Sequence, residues 1–332
     1  MSIASQPYRL TRFDRFCLWY PPAWLILFNR HWQHYKPDPD GWNGLEYFLF
    51  LLPGGFYLAM GLRWLRLGGR SPHMAQSEYD PDYQQALRQE ILTPIVQRYF
   101  RGTLENAEIL PQKGPLIIAM NHAGMSFPWD LTGIGILLSQ HISGSIQPLA
   151  HTMFFDHPWL TWWLPPGWMQ VVGGVRAEPQ EFEQAIAANM ILLYAPEGIR
   201  GISKGWQQRY QLATFDPSFV RLSIRHKVPI LPVVCVGNEG LHPWALNLTK
   251  IARWFRLPMF PVSPLILVFA LFPSMGVWAM RTQLRYYVQP QWQPWKDITT
   301  NLSHRLTYEQ AESLRSQMQQ ILNQLCKPKP RG

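Results

Sequence analysis

The chain has 332 residues, of which 15% are charged and 14% aromatic, and its net charge is +9. This length suits one large domain, or one domain with an appendage. A charged fraction below the roughly 25% of ordinary soluble domains, combined with 16 tryptophans, is typical of a protein that lies against a membrane surface. Helix-turn-helix, zinc-finger and RNA-binding signatures are missing from the sequence. The basic charge therefore predicts anionic lipid or phosphorylated small molecules, and no nucleic acid, as partners.

The three cysteines are widely spaced, which predicts neither a disulfide framework nor a cysteine metal site and fits a reducing compartment. Histidine and acidic residues do not recur at metal-ligand spacing, so no metal is predicted. The opening residues lack the apolar core of a secretory signal, and none is predicted.

Two apolar stretches, 17–29 and 45–62, follow near the start of the chain. The second approaches the roughly 20 residues needed to span a bilayer, but the sequence Pro-Gly-Gly at 53–55 interrupts it. Residues 1–75 are therefore predicted as a membrane-associated segment, a bent and half-inserted helical hairpin. Arginines flank the pair on both outer sides, which predicts that both ends, and the active site that follows, face the cytoplasm. The alternative is a pair of buried helices that pack on the main domain.

Residues 76–332 alternate between strand and helix patterns. Apolar runs predict strands at 115–120, 145–150, 191–194, 229–237 and 284–290, and periodic segments predict helices at 83–100, 131–139, 178–190, 217–227 and 307–325. Continuous apolar strands separated by helices predict an α/β fold, a mostly parallel sheet covered by helices on both faces. Residues 257–280 carry no charge but contain four prolines, which favours a membrane-apposed or buried lobe over a spanning helix.

Polar residues follow three of the predicted strands, at the ends where open α/β sheets place their active sites. His122 follows the first strand, Glu197 follows the strand at 191–194, and Asn238 with Glu239 follows the strand at 229–237. Taken singly, each has an ordinary structural explanation. His122 could be a core histidine, Asp130 a helix N-cap, and the acidic and basic residues of 196–200 a solvated turn.

Four blocks in order resemble the glycerolipid acyltransferase family typified by lysophosphatidic acid acyltransferases: Asn121 to Asp130, Gly173 to Arg176, Pro196 to Arg200 and Val228 to Val233. The resemblance implies acyl transfer from acyl-CoA or acyl-carrier protein to a hydroxyl of a glycerolipid, with no cofactor beyond that thioester. The acceptor would be lysophosphatidic acid, another lysophospholipid or a partial glyceride. The C-terminal part looks closest to the branch with mono- and diacylglycerol acyltransferase-like members.

The chemistry implied by the resemblance assigns a role to each candidate residue. His122 would be the general base that takes the proton of the attacking hydroxyl, and Asp130 would orient its ring and stabilise the imidazolium. The resemblance places Glu197 and Arg200 in the acceptor site and Arg176 beside it, and Gly198 and Lys204 are also predicted to bind substrate. Guanidinium groups suit phosphate contacts on the acceptor or the donor. For Arg176 and Lys204 the alternative is ordinary surface charge.

One departure from the family concerns the first block. The family places four residues between the histidine and the aspartate, whereas seven separate His122 from Asp130, and Phe127 stands at the usual position. Either the loop is longer and Asp130 bends back to His122, or another group orients the ring. Gly124 and Pro128 make the bent loop the favoured interpretation.

Two other functions compete with acyl transfer. Ser203 lies in a G-x-S-x-G sequence, and Asp216 and His226 follow it in the order of a serine hydrolase. That motif, however, requires the serine directly after a strand, and the predicted strand ends at Tyr194. A non-catalytic lipid-binding protein of the same fold would explain the altered first block.

Overall fold

A computed structural model describes residues 6–73, 78–124, 126–156, 164–165, 167–254, 260–296 and 303–326. The chain forms two compact units. The first, which we call the helical unit, contains the described residues up to Pro94 together with His151–Gly174 and Pro264–Ala279. The second, the sheet unit, contains Ile95–Ala150, Val175–Ser263 and the described residues from Met280 onward. The domain boundary predicted after residue 75 falls at 74–77, outside the described residues.

The helical unit is built from short helices. Its α-helices are Arg12–Trp19, Trp24–Tyr35, Gly44–Phe50, Gly55–Arg66, Pro81–Leu87, Met153–Asp156, Trp168–Val171 and Ile266–Leu271. Two 3-10 turns, Pro21–Ala23 and Pro273–Val277, and a π-turn at Arg88–Leu92 also belong to it. The Pro-Gly-Gly sequence breaks the second apolar stretch as expected, because Gly54 has a φ of +72° directly before the helix Gly55–Arg66.

The predicted membrane hairpin is not formed as one long pair of helices. In the described parts of the chain, no helix is both long enough and apolar enough to cross a membrane. Trp24–Tyr35 is largely buried, whereas its neighbours expose large apolar side chains, among them Trp19, which is 88% exposed, and Leu65, which is 66% exposed. Attachment of this unit to a membrane stays a prediction.

The sheet unit contains all the strands that the structure describes. They are β1 Thr103–Glu105, β2 Leu116–Met120, β3 Ile146–Ala150, β4 Val175–Arg176, β5 Ile191–Tyr194, β6 Ile230–Val236, β7 Leu246–Asn247, β8 Pro261–Val262 and β9 Arg285–Val288. Seven of them form one sheet in the order β1-β9-β6-β2-β5-β3-β4. Neighbours pair in parallel except β6 and β9, and β7 pairs with β8 separately and antiparallel. The prediction of a mostly parallel sheet is confirmed.

Alternate side chains of the central strands pack against helices on opposite faces of the sheet. Ile117 and Leu192 join a buried cluster with helices Pro179–Ala187, Ser218–His226 and His304–Cys326. Leu193, the next residue along β5, faces the helix Trp129–Leu138, because a Cβ atom built on Gly135 would lie 3.9 Å from Leu193 Cδ2. Because successive strand side chains point to opposite faces, the sheet is covered on both.

Most predicted elements are present within a few residues of their expected bounds. The helix predicted at 83–100 starts as Pro81–Leu87 and continues through two π-turns, the second at Ile95–Tyr99. The short edge strands β1 and β4 were not predicted, and neither was the antiparallel direction of β9. The predicted apolar lobe is not a single element. Its residues 257–259 lie outside the described residues, and the rest forms β8, the helix Ile266–Leu271 and a 3-10 turn.

Candidate active site

Three polar segments meet at one edge of the sheet. His122, Glu197 and Asn238 follow the neighbouring strands β2, β5 and β6, which run in parallel. Their carboxyl ends therefore lie side by side, as the sequence predicted.

The Asn121 side chain fixes the start of the loop after β2. Its Nδ2 donates to the Cys235 carbonyl oxygen at 3.0 Å, and the Cys235 N–H donates to its Oδ1 at 2.7 Å. The side chain thus continues the pairing of β2 with β6 by one step beyond the last backbone pair. It sets the point at which the chain leaves the sheet and turns into His122.

His122 and Asp130 are in direct contact despite the long interval between them. His122 Nδ1 lies 2.9 Å from Asp130 Oδ1 and 3.0 Å from Oδ2. The Asp130 side chain is fully buried, and the His122 side chain is 12% exposed. An ionised carboxylate only accepts hydrogen bonds, so the ring carries its proton on Nδ1 and leaves Nε2 as the basic nitrogen.

The shape of the loop explains how the extra residues are accommodated. Gly124 has a φ of +116°, which turns the chain away from the strand direction. Phe127, at the family's usual aspartate position, packs its ring 4.8 Å from that of the buried Trp129. Asp130 is the second residue of the helix Trp129–Leu138, whose N-cap is Pro128. The expectation that Asp130 is a helix N-cap is therefore wrong, because its carboxylate reaches back toward His122.

Several groups besides His122 hold Asp130. The backbone N–H of Ala123 donates to Oδ2 at 2.9 Å, and Asn238 Nδ2 donates to the same oxygen at 3.3 Å. The buried hydroxyl of Tyr286, on β9, donates to the Asp130 carbonyl oxygen at 2.8 Å. A side chain at Gly133 would collide with that hydroxyl, so glycine there admits the tyrosine.

Sequence reasoning missed Tyr286 and noted Asn238 only as a residue in a strand-end loop. The position of Asn238 directly after β6 was the available signal for the first of these contacts. Nothing in the local sequence indicates the Tyr286 contact, because the tyrosine is 156 residues away from its partner.

A buried ion cluster supports the other side of the His122 loop. Glu197 Oε1 accepts the His122 N–H at 3.1 Å, and Oε2 accepts the Ala213 N–H at 2.6 Å. Lys204 Nζ lies 3.1 Å from Glu197 Oε2 and 3.5 Å from Glu239 Oε1. The Lys204 side chain is only 6% exposed, so Lys204 is not an ordinary surface charge. Glu197 holds the backbone on both sides of the site, and its predicted contact with the acceptor stays a prediction.

The pKa values of the paired groups follow from this arrangement. Burial alone would lower the pKa of His122, but the Asp130 carboxylate, aided by Glu197, raises it above its usual value. Burial acts to raise the pKa of Asp130, and the opposing effects of His122 and of the Ala123 and Asn238 hydrogen bonds leave it below its usual value. Burial raises the pKa of Glu239 above its usual value, although Lys204 opposes the change.

The remaining candidate residues are outside the hydrogen-bond network of His122 and Asp130. Gly198 is exposed, with a φ of +54°, and precedes the short helix Ile199–Ile202 that carries the exposed Arg200. Arg176 ends β4, which is three strands from β2. At a strand spacing of about 4.8 Å, that separation across the sheet is roughly 14 Å. Their predicted substrate contacts stay predictions.

A small cleft adjoins His122. It is lined by Gly124, Gly201, Ile202, Lys204, Trp206, Glu239, His242 and Ala245. A Cβ atom on Gly201 would lie 2.7 Å from the His122 carbonyl oxygen, so glycine there lets the two backbones approach closely. The wall of the cleft thus contains the Lys204 ammonium and the Glu239 carboxylate, and the His122 backbone lies against its Gly201 side.

We expect Glu197→Gln to lower the free energy of unfolding by about 3–5 kcal/mol, because the amide leaves the buried Lys204 ammonium short of a counter-charge. Urea denaturation of both proteins would measure the change. Glu309→Gln is the matched control, since its partner Arg305 is 89% exposed and such a pair contributes about 0.5 kcal/mol or less. Equal losses of unfolding free energy in the two variants would contradict a stabilising role for the buried Glu197–Lys204 pair.

The site lies in a region that known proteins share. Residues 101–236 match the family model described as Acyltransferase. This part, about two fifths of the chain, is therefore similar to acyltransferase domains. The match contains His122, Asp130 and the cluster residues Glu197 and Lys204, and it ends at the last residue of β6.

Curated relatives extend the likeness beyond residues 101–236. A protein of Mycobacterium tuberculosis described as uncharacterized is 28% identical over 194 residues, which cover 56% of this chain and 51% of the relative. One from Mycobacterium leprae, described in the same way, is 27% identical over 253 residues, covering 74% of this chain and 66% of the relative. The chain thus spans about half to two thirds of the length of the curated relatives it matches.

Among solved structures, the chain is similar to the crystal structure of the 1-acyl-sn-glycerophosphate acyltransferase PlsC from Thermotoga maritima. The two share 15% sequence identity with a TM-score of 0.44, and the match covers 74% of this chain and 83% of that chain.

Proposed function

We propose that this acyltransferase-family protein moves a fatty acyl group from a thioester, acyl-CoA or acyl-carrier protein, to a hydroxyl of a glycerolipid, with His122 as the general base. The observation that carries the proposal is the contact of His122 Nδ1 with the buried Asp130 carboxylate at 2.9 Å. A hydroxyl is a poor nucleophile at neutral pH and needs a base at the moment of attack. The pair supplies a base with a fixed tautomer.

The transfer needs one proton carrier. His122 Nε2 accepts the hydroxyl proton as the acceptor oxygen forms a bond to the thioester carbonyl carbon. The tetrahedral intermediate then breaks its carbon–sulfur bond, and the imidazolium returns the proton to the departing thiolate. Asp130 stabilises the imidazolium between these steps. The thioester is already activated, so no acyl-enzyme is required.

The charges around His122 favour an uncharged acceptor, such as a partial glyceride, over lysophosphatidic acid. Asp130 and Glu197 are buried carboxylates in contact with His122, and the single ammonium of Lys204 is bound by Glu197. The network is therefore net negative even without Glu239. A phosphate held against this network would be repelled. The repulsion is stronger than in open solvent, because the site is partly shielded from water. On this proposal, Arg176 and Arg200 serve a phosphate of the donor.

Attachment to a membrane surface would bring the enzyme to such an acceptor. The helical unit supports this part of the proposal, because four of its helices expose large apolar side chains. They are Arg12–Trp19, Gly44–Phe50, Gly55–Arg66 and Ile266–Leu271. Among these side chains, Leu58, Leu65 and Leu267 are 64%, 66% and 72% exposed. Exposed apolar surface of this extent marks interaction sites, and the exposed Arg9, Arg12 and Arg15 would favour the cytoplasmic leaflet with its anionic lipids.

An acceptor panel tests the proposal. Purified protein would be given a labelled acyl thioester with monoacylglycerol, diacylglycerol or lysophosphatidic acid in mixed micelles, and the lipid products would be separated. We expect ester formation with the uncharged acceptors at a higher kcat/KM than with lysophosphatidic acid. A preference for lysophosphatidic acid would overturn the acceptor class, and no transfer to any lipid would favour the lipid-binding alternative.

The serine hydrolase alternative finds no support in the geometry of Ser203. Ser203 follows the helix Ile199–Ile202 rather than a strand, and its hydroxyl donates to the Arg200 carbonyl oxygen at 3.3 Å. His226, the histidine that follows it in the expected order, lies 3.5 Å from Glu183. We expect Ser203→Ala to keep kcat within about twofold, since a solvent-side hydroxyl contributes little. Loss of thioester turnover in that variant would favour the serine hydrolase alternative.

A further inference from the structure

The sheet unit carries its own exposed apolar surface beside the small cleft. It lies on residues 244–248, which include β7, and on the helix Thr249–Trp254. Its members are large apolar or basic side chains, and we call them the rim: Trp244, Leu246, Leu248, Lys250, Arg253 and Trp254. Trp244, Leu246 and Trp254 are 56%, 51% and 80% exposed.

In this segment the small apolar side chains are buried and the large ones are exposed, which is the opposite of the usual pattern on a surface that faces water. Ala245 and Ala252, two of the smallest apolar residues, are 8% and 4% exposed, whereas the leucines between them and the tryptophans on either side face outward. The segment is held in this orientation by backbone bonds. The Leu248 N–H donates to the Phe260 carbonyl oxygen at 3.0 Å, and the Trp206 N–H donates to that of Ala245 at 2.6 Å. An exposed group of large apolar side chains on a fixed backbone marks an interaction surface.

The charges of the rim indicate what it binds. Lys250 and Arg253 are both exposed, and residues 240–254 contain no aspartate or glutamate. Tryptophan and leucine beside basic residues match the boundary between acyl chains and anionic headgroups of a bilayer. An acidic carrier protein would also meet the two cations, but the four apolar side chains favour the lipid surface.

The rim is continuous with the cleft. Ala245, between Trp244 and Leu246, lines the cleft, as does Trp206. The Trp206 and Trp244 rings lie 6.3 Å apart, so aromatic surface runs from the cleft wall to the rim. A rim in contact with a bilayer would therefore bring the cleft, and the His122 backbone behind its Gly201 side, close to the membrane surface.

We propose that the rim docks on an anionic bilayer and so holds the neighbouring cleft at the membrane surface from which the acceptor lipid is taken. The identification of the lipid as an acceptor rests on the proposed function, whereas the docking itself does not. It assigns a membrane contact to the sheet unit that is separate from the apolar face of the helical unit.

A local fluorescence probe tests the docking. Leu246→Cys, in a Cys326→Ser background, would carry an environment-sensitive fluorophore, since Cys17 and Cys235 are buried and would not react. The matched control carries the label at Tyr308→Cys, which is 45% exposed on the helix His304–Cys326 of the same unit. The labelled proteins would be mixed with phosphatidylcholine vesicles with and without phosphatidylglycerol.

We expect a blue shift of the label at 246 with phosphatidylglycerol vesicles, and none at 308. An unshifted label at 246 on protein that floats with the vesicles would overturn the proposal, as would failure to float. A shift only upon addition of acyl-carrier protein would make the rim a carrier-docking surface instead. None of these readouts requires turnover, so they stay informative if the acyltransferase activity itself is refuted.

A kinetic measurement tests the second half of the proposal. For Trp244→Ser with Trp254→Ser, we expect the ratio of turnover on vesicle-borne acceptor to turnover on detergent-dispersed acceptor to fall at least about fivefold, because apolar area buried in the interface is lost. Tyr308→Ser should leave the ratio unchanged. An unchanged ratio in the tryptophan variant would contradict a role for the docked rim in the use of membrane-borne acceptor.

Discussion

His122→Ala will lower kcat for acyl transfer by about 10²–10⁴-fold, the usual contribution of a positioned general base. The variant should keep its fold, because the loop is held by groups that the substitution leaves in place. The Asn121 side chain still bridges to Cys235, and the backbone N–H of residue 122 still donates to Glu197. Asp130 retains the Ala123 N–H as a donor.

The control for this variant is His141→Ala, which removes an exposed histidine of the same unit and should leave kcat within about twofold. Thermal unfolding of both variants would separate a catalytic loss from a folding defect. Unchanged turnover in His122→Ala would exclude His122 as the base.

Asp130→Asn is expected to lower kcat to a comparable extent, by about 10²–10⁴-fold, because an amide neither fixes the ring tautomer nor stabilises the imidazolium. It should also move the acid limb of the kcat/KM profile to lower pH. In the wild type, Asp130 raises the pKa of His122, and the base works only above that pKa. Without the carboxylate the pKa of His122 falls, so the ring stays unprotonated to a lower pH.

The pH profile of kcat/KM for wild type and Asp130→Asn would measure both effects. Asn238→Leu is an informative companion, because it removes only the 3.3 Å hydrogen bond to Asp130 Oδ2. It should reduce kcat far less than the loss of the charge does. An acid limb at the same pH in the wild type and Asp130→Asn would show that another group controls it.

The central sheet and the position of the site could be predicted from local patterns. The apolar runs of β2, β5 and β6 are long enough to identify as buried strands, and polar residues follow each of them directly. Parallel strands bring such residues to one edge whatever the intervening chain does. This is why the sequence alone places His122, Glu197 and Asn238 at one edge of the sheet.

The contacts that complete the site depend on tertiary packing and have no local signal. Tyr286 reaches Asp130 from β9, whose antiparallel direction the sequence pattern does not encode. Lys204 is buried between Glu197 and Glu239, which come from two different loops. Its own sequence context resembles that of a surface lysine. The bending of the loop to Asp130 was favoured from Gly124 and Pro128, but the role of Phe127 as a packing residue required the Trp129 ring.

The N-terminal segment shows a limit of a different kind. Its hydrophobicity is real, but the Pro-Gly-Gly sequence divides it into short helices, one buried and others with exposed apolar faces. Composition identifies such a segment as apolar without telling which side chains face outward. The same is true of Trp244, which lies two residues before β7, and of Trp254, which ends the helix Thr249–Trp254.

The most direct test of the central claim is lipid product analysis with a labelled acyl thioester and an uncharged glyceride, on wild type and His122→Ala prepared together. The account predicts labelled ester with the wild type and at least about a hundredfold less with the variant, at equal folded fractions. Labelled ester at equal rates from both proteins would contradict it.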